Sequence, residues 1–213
     1  MGSRCVEISI VLKDVRMPKV GVAPIRRKAL IDATISTLHL SKLSDPTLAE
    51  ISKRAGLSTS IVNHYFKSKK KLLEATMREL ASGFIGEVAL RTSAASTPLE
   101  RINAVIDGNL ASSQCVPEVM SAWLWFWARV PVCKEYAEIQ HACDQHVENE
   151  LRIAVKELVS DEEVEDVVQG IVAIMYGLWL RYTHNPKLIN VEKARRITKD
   201  LVACRVSQSQ PVS

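Results

Sequence analysis

The sequence predicts an all-α protein of about nine helices, divided into an N-terminal helix-turn-helix domain and a larger C-terminal helical domain. Three observations carry this. Apolar residues recur at helical spacing along nearly the whole chain, with no strand-like alternation or internal repeat. Residues 47–73, TLAEISKRAGLSTSIVNHYFKSKKKLL, read as two short helices across a tight turn, followed at once by a third. Charge is unevenly shared: 12 Lys/Arg and 5 Asp/Glu in residues 17–80, against 13 and 17 in residues 81–213. A basic first part on an acidic remainder implies a polyanionic partner for the first part alone. The expected divisions are an unstructured lead-in at 1–16, a DNA-binding unit at 17–80 and a ligand-binding and dimerisation unit at 81–213.

Taken in order, Pro24 opens a helix to about Leu40, with Ile25, Leu30, Ile31, Thr34 and Leu38 near its buried side. Thr47 and Glu50 form a capping box for a helix over about 48–55. Gly56 ends it, and Ser58 caps a third helix over 59–66. Ser68 caps a long fourth helix to about Leu90. Thr97-Pro98-Leu99-Glu100 is a second capping box, for a helix to about Ser112. Pro117 starts a sixth helix, Pro131 interrupts it, and a seventh runs to about Val159. Ser160 to Glu163 cap an eighth, which Asn185-Pro186 breaks after Thr183. A ninth spans roughly 191–204, and the tail from Ser207 is expected to fray.

Within 47–66, Ile51, Ala55, Val62 and Phe66 fall where two helices pack together. That packing leaves Ser60, Asn63, His64 and Lys67 as a polar stripe at i, i+3, i+4 and i+7, with Thr59 beside it. The stripe lacks the carboxylates of an ordinary solvated helix face. A short polar helix with a small-residue N-terminus suits a DNA major groove.

Residues 24–77 resemble the DNA-binding domain of the tetracycline-repressor (TetR) family. T-L-A-E-I-S-K-R-A-G-L-S at 47–58 and H-Y-F-K-S-K-K-K-L-L at 64–73 carry the resemblance, with the family's Tyr-Phe-x-x-Lys-x-x-Leu as Tyr65, Phe66, Lys69 and Leu72. M-P-K-V-G at 17–21, P-I-R-R at 24–27, L-L-E-A-T-M-R at 72–78, A-W-L-W-F-W at 122–127 and G-L-W-L-R at 177–181 further resemble BetI-type repressors, which control conversion of choline to glycine betaine. The resemblance implies phosphate contacts from Thr47, Tyr65 and Lys69, with Ser58 capping the recognition helix. Arg26 and Arg27 are placed to reach the backbone or an adjacent minor groove. Ser60, Asn63 and His64 are the candidates for base edges, with Thr59 close by, since Asn can bridge adenine N6 and N7 and a Thr methyl packs on a thymine methyl. Two glycines usual in the family are replaced, one by Ser60 and one near Lys42.

In the second part, Trp123 and Trp127 lie one turn apart and share a face, while Trp125 points elsewhere; Tyr176 and Trp179 are similarly close on helix eight. The spacing fits an aromatic core as well as a ligand cage. Aromatic faces attract a quaternary ammonium at roughly 0.5–2 kcal/mol each, so the resemblance implies a choline-like cation against Asn109, Trp123, Trp127, Tyr176 and Trp179. BetI-like proteins tend to carry an acid where Tyr176 stands. Asn109, Asp107 or Glu118 would have to compensate, or the ligand differs.

The stripes Val164, Val168, Ile171, Met175, Leu178 and Val191, Ala194, Ile197, Leu201 are expected to form a homodimer interface, with intrachain core as the other reading. Five cysteines without a C-x-x-C read as reduced thiols in a cytoplasmic protein. Cys143, His141 and His146 match no common zinc spacing. No apolar run reaches the ~18 residues of a membrane span, and the first sixteen residues show no convincing signal-peptide core or cleavage site.

Together these readings predict a dimeric, ligand-released repressor of double-stranded operator DNA, with no cofactor and no metal. A TetR-family repressor of efflux or catabolic genes, with a lipophilic or cationic effector, is the nearest alternative. A helical-bundle enzyme is the remote one, for want of a phosphate loop, paired metal-binding Glu-x-x-His motifs or a nucleophile–base constellation.

Overall fold

A computed structural model describes residues 22–209, which hold nine α-helices and no strand among them. The lead-in at 1–16 and the motif at 17–21 lie outside the described residues.

Helices α1 (Val22–Leu40), α2 (Leu48–Arg54) and α3 (Thr59–Phe66) close over a small core of Leu30, Ile31, Ala33, Ile51, Val62, Phe66 and Leu72. The α2 capping box forms as expected: the Thr47 hydroxyl accepts from Glu50 N at 3.2 Å, and Glu50 Oε2 accepts from Thr47 N at 2.7 Å. Gly56 adopts φ +65°, which lets Leu57 N donate to Ser52 O (2.9 Å) and Gly56 N to Lys53 O (3.2 Å). Those two bonds satisfy the last carbonyls of α2 and turn the chain into α3. Between α1 and α2, Lys42 (φ 50°) and Leu43 (φ 72°) both occupy left-handed backbone without being glycine, at the point where the family glycine is replaced.

The second core draws on α4 (Lys69–Thr92), α5 (Pro98–Asn109), α6 (Pro117–Trp127), α7 (Lys134–Val155), α8 (Val164–His184) and α9 (Val191–Ser209). Leu38 of α1 joins it, and α1 packs on α4 and α6. Helix α4 runs unbroken through position 80 and serves both cores, with Leu72 in the first and Leu73, Met77 and Leu80 in the second. Helices α1 and α4 therefore join the two cores physically.

Several expectations need correction. Ile25 is 57% exposed, so the buried face of α1 begins at Leu30. Ser58 occupies the N-cap of α3, but its hydroxyl pairs with that of Ser60 at 2.8 Å and makes no cap bond. Helix α5 stops at Asn109, short of Ser112, and Ser112–Gln114 forms a separate 3-10 turn. Glu163 is the N-cap of α8, bonded through its carboxylate to the Ser160 hydroxyl at 2.9 Å. Helix α9 continues to Ser209, past the point where fraying was expected.

The α8 and α9 stripes divide between the protomer's core and its surface. Val164, Val168, Ile171 and Met175 are buried inside the protomer, as is Ala194, whereas Leu178, Val191 and Ile197 are half-buried and Leu201 is 49% exposed. The outer face of α8 is instead small: Gly170, Ala173 and Gly177 are exposed, with Leu180 at 39%. Helix spacing alone cannot say which of two apolar faces is turned inward.

Candidate functional sites

The first site is the outer face of α3. Thr59, Ser60, Asn63, His64 and Lys67 are all exposed along it, with Ser58 at its start, while Val62 and Phe66 anchor the opposite side. Tyr65 is half-buried, its ring edge-on to His64 at 5.1 Å. Lys67 ends the helix in left-handed backbone (φ 63°), donating from N to Asn63 O at 3.0 Å. Ser68 then accepts from Lys71 N at 3.2 Å, starting α4 almost without a linker. The N-terminal amides of α4 thus point to the same neighbourhood as the end of α3, a setting that favours an anion.

Three predicted backbone contacts have partners within the chain. Arg27 lays its guanidinium 4.3 Å from the Phe66 ring centroid and donates to Tyr65 O at 3.1 Å, so it braces the C-terminus of α3. Arg26 is exposed and makes no hydrogen bond or ion pair with another described residue. The Thr47 hydroxyl donates to Glu50 Oε2 at 2.7 Å, and a phosphate would compete with that carboxylate for its proton. Backbone donation from Thr47 is the main cause holding the Glu50 carboxyl below its usual range. Lys69 Nζ lies 3.3 Å from Asp45, which Arg129 also reaches at 2.9 Å. Desolvation pushes the Asp45 carboxyl upward, and the two cations outweigh it and lower its pKa.

The second site is a cavity of about 40 Å3 inside the larger bundle. Asn109, Trp123, Trp127, Tyr176 and Trp179, which sequence reasoning grouped from three helices, all line it, with Phe84, Gln114, Gln140 and Cys143. Trp127 is the hub: its ring centroid lies 4.9 Å from Trp179, 5.4 Å from Tyr176 and 6.1 Å from Trp123. Trp125 faces away, as expected, against Phe126 and Tyr136. Cys143 turns into the cavity, where burial pushes its thiol up to about 12, whereas His141 is exposed.

Behind these walls is an acid that sequence reasoning missed. Asp144 Oδ1 accepts from the Tyr176 hydroxyl at 2.7 Å and from Gln140 Nε2 at 2.8 Å. Gln140 Oε1 in turn accepts from Trp127 Nε1 at 2.8 Å. Burial first, then the Asp144 charge, raises the Tyr176 pKa and keeps the phenol protonated. The signal was Gln140 and Asp144 at i, i+4 on α7, a helix without a tryptophan to draw attention to it. Two of the residues considered as compensating acids are committed elsewhere. Asp107 faces α9, where Lys199 holds it at 2.7 Å. Glu118 is exposed on an outer groove between α1, α4 and α6.

Comparison with known proteins agrees with both halves. Residues 30–81 match the family model of tetR-family bacterial regulatory proteins, and residues 98–206 match that of the BetI-type transcriptional repressor C-terminal domain. The chain is 40% identical over 188 residues to the HTH-type transcriptional regulator BetI of Vibrio parahaemolyticus, covering 86% of this chain and 94% of that one. The fold is shared with a transcriptional regulator of Pseudomonas aeruginosa PAO1 (TM-score 0.75, 19% identity, 92% and 99% of the two chains). It is also shared with a regulator of Saccharomonospora viridis solved in complex with choline (TM-score 0.75, 13% identity, 84% and 96%). No described helix is long and apolar enough to cross a membrane. These relatives are regulators and not enzymes, and the chain belongs to the TetR family of DNA-binding transcriptional repressors, with a BetI-type C-terminal domain.

Proposed function

We propose that the protein represses genes for choline-to-betaine conversion and is released from its operator by a choline-like cation bound in the aromatic cavity. The observation that carries this reading is the meeting of Trp123, Trp127, Trp179 and Tyr176 around one small space, backed by the Asp144 carboxylate. A quaternary ammonium cannot donate a hydrogen bond, so aromatic faces and nearby negative charge are what recognise it. Asp144 acts through the Tyr176 hydroxyl and supplies the negative field that the missing acid at position 176 would have provided. At about 40 Å3 the space admits on the order of three waters, which favours a compact cation over a long lipophilic effector. The BetI relatives and the choline-bound structural neighbour support the same ligand class.

On DNA, Asn63, His64 and Ser60 read base edges with Thr59, while Lys69, Tyr65, Thr47 and Arg26 meet phosphates. One eight-residue helix reads too few base pairs for selectivity, so the working unit is a homodimer. The exposed strip of Gly170, Ala173 and Gly177 on α8 permits close helix approach and is the better candidate interface than the buried stripe.

Calorimetric titration with choline tests the effector. Micromolar to millimolar binding is expected, weakened roughly 3–30-fold in Trp127→Ala by loss of one cation–π wall. No heat and no tryptophan fluorescence change at millimolar choline would exclude a choline-type effector.

A further inference from the structure

We propose that Asp45 is a counterion shared between Lys69 and Arg129, and that Arg129 carries the state of the aromatic cavity to the DNA-facing side by setting how strongly Asp45 neutralises Lys69. The inference rests on the reading of Lys69 as a phosphate contact.

The geometry is a chain of direct contacts. Asp45 sits in the α1–α2 connection. Its Oδ2 takes Lys69 Nζ at 3.3 Å, from the first residue of α4, and its Oδ1 takes Arg129 Nη2 at 2.9 Å. Arg129 belongs to the other half of the protein, two residues beyond the Trp127 hub. Its guanidinium lies over the Trp125 ring, 3.7 Å from the centroid, and Nη1 donates to Trp125 O at 3.0 Å. Trp125 is 2% exposed and immobilised against Phe126 and Tyr136. Helix α6 therefore presents Trp123 and Trp127 to the cavity and, through Trp125, positions Arg129 against Asp45.

Arg129 is a positioning residue. It is fixed by stacking and by the backbone of α6, so a ligand that displaces the last turn of α6 displaces it too. Asp45 is 60% exposed at its side chain and is carried by a connection in which Lys42 and Leu43 are held in left-handed backbone. With Arg129 in place, part of the Asp45 charge is engaged and Lys69 is free enough to meet a phosphate. With Arg129 withdrawn, Asp45 is left to Lys69 alone and competes with DNA for it. Among the described residues, the other polar contacts between the halves, Lys70 with Glu135 at 2.5 Å and His39 with Ser121 at 2.8 Å, do not involve a group assigned to DNA.

The test uses the full chain and a 30-base-pair random-sequence duplex, because a phosphate contact acts on any sequence. Fluorescence anisotropy across a sodium chloride series gives affinity and salt slope. Asp45→Asn is expected to raise affinity about threefold or more, and to lose that gain in a Lys69→Ala background. Arg129→Gln is expected to lower affinity and flatten the salt slope by up to about 1 per protomer. The double variant D45N/R129Q should bind as D45N does, a rescue that a folding defect or a direct Arg129–phosphate contact would not show. Choline chloride at constant total chloride should weaken wild-type binding and have little effect on D45N. Lower affinity in D45N, or an R129Q loss that persists in the double variant, would overturn the coupling while leaving the phosphate reading intact. An unchanged affinity and slope in Lys69→Ala would remove the phosphate reading and the coupling together.

Discussion

Substituting Gly108 by Ala exposes how tightly the cavity is framed. Gly108 is buried on α5, where α5 crosses α4. A Cβ built there would lie 2.8 Å from Val88 Cα, 3.1 Å from Val88 N and 3.0 Å from Val88 Cγ2. Two of these atoms are backbone, so no rotamer change relieves the clash and the helices must separate by about 0.5 Å or more. Alanine gains about 1 kcal/mol of helix propensity over glycine, while overpacking of this kind costs typically 1–3 kcal/mol. Because two of the clashing atoms are backbone, the cost falls in the upper part of that range, about 2–3 kcal/mol, and the net expectation is a loss of about 1–2 kcal/mol in urea unfolding monitored by far-UV circular dichroism. Gly86→Ala, on the exposed side of α4 with nothing within 4 Å of its Cβ, is the matched control and should stabilise by about 0.5–1 kcal/mol. Function should follow packing, because Phe84 of α4 and Asn109 of α5 are both cavity walls and neighbour this crossing. A Gly108→Ala protein as stable as the wild type, with unchanged choline affinity, would refute the close approach of α4 and α5.

Four further outcomes are expected. Asn63→Ala should cost roughly 1–3 kcal/mol on a preferred operator and little on random DNA, measured by competition binding; an equal loss on both would make Asn63 a positioning contact. Asp144→Asn keeps the shape behind the cavity wall and removes the charge there, so choline affinity should fall at least several-fold by calorimetry while uncharged ligands are indifferent; unchanged choline binding would place the counter-charge elsewhere. Gly177→Glu on the outer face of α8 should yield folded monomers in sedimentation, whereas a charge at Ile171, 3% exposed within the protomer, should unfold the chain; a dimeric Gly177→Glu would move the interface. Lys70 holds the Glu135 carboxyl at about 2, well below its usual 4.5. A depressed carboxylate stabilises the fold above its unfolded pKa and loses that contribution as pH falls from about 4.5 through about 2. Glu135→Gln should therefore flatten the dependence of Tm on pH over that window, and an unaltered slope would show the pair to be inconsequential.

The helix-turn-helix was legible in the sequence because its determinants are local. A capping box, a glycine with positive φ and a four-residue polar stripe each act within about two turns of chain, and all take the places their spacing implies. The tryptophans and Tyr176 were also legible as a group, since Trp123 and Trp127 share a face by periodicity. What escaped was set by tertiary contact. Asp144 reaches the Tyr176 hydroxyl behind the cavity only because α7 lies beside α8, and no spacing rule joins the two, 32 residues apart. Arg27 reads as a free cation until α1 and α3 are brought together, when it becomes a brace on Phe66. The stripes on α8 and α9 were real, but periodicity measures apolarity and not its direction. The core took Val164, Val168, Ile171, Met175 and Ala194 inward, while Leu201 stays exposed and the glycine-rich side of α8 faces out.

Where one chain couples DNA binding to occupation of an aromatic cation cavity, thermodynamic linkage makes the coupling quantitative. The decisive measurement is a pair of affinities on a fragment of the promoter it controls: DNA affinity with and without saturating choline, and choline affinity with and without saturating DNA. The two ratios must be equal, and a coupling of roughly 5–150-fold is typical of such systems. Choline is expected to weaken DNA binding, DNA to weaken choline binding by the same factor, and Trp127→Ala to move choline's half-effect concentration upward. Choline that binds the cavity yet leaves DNA affinity unchanged would contradict the coupling.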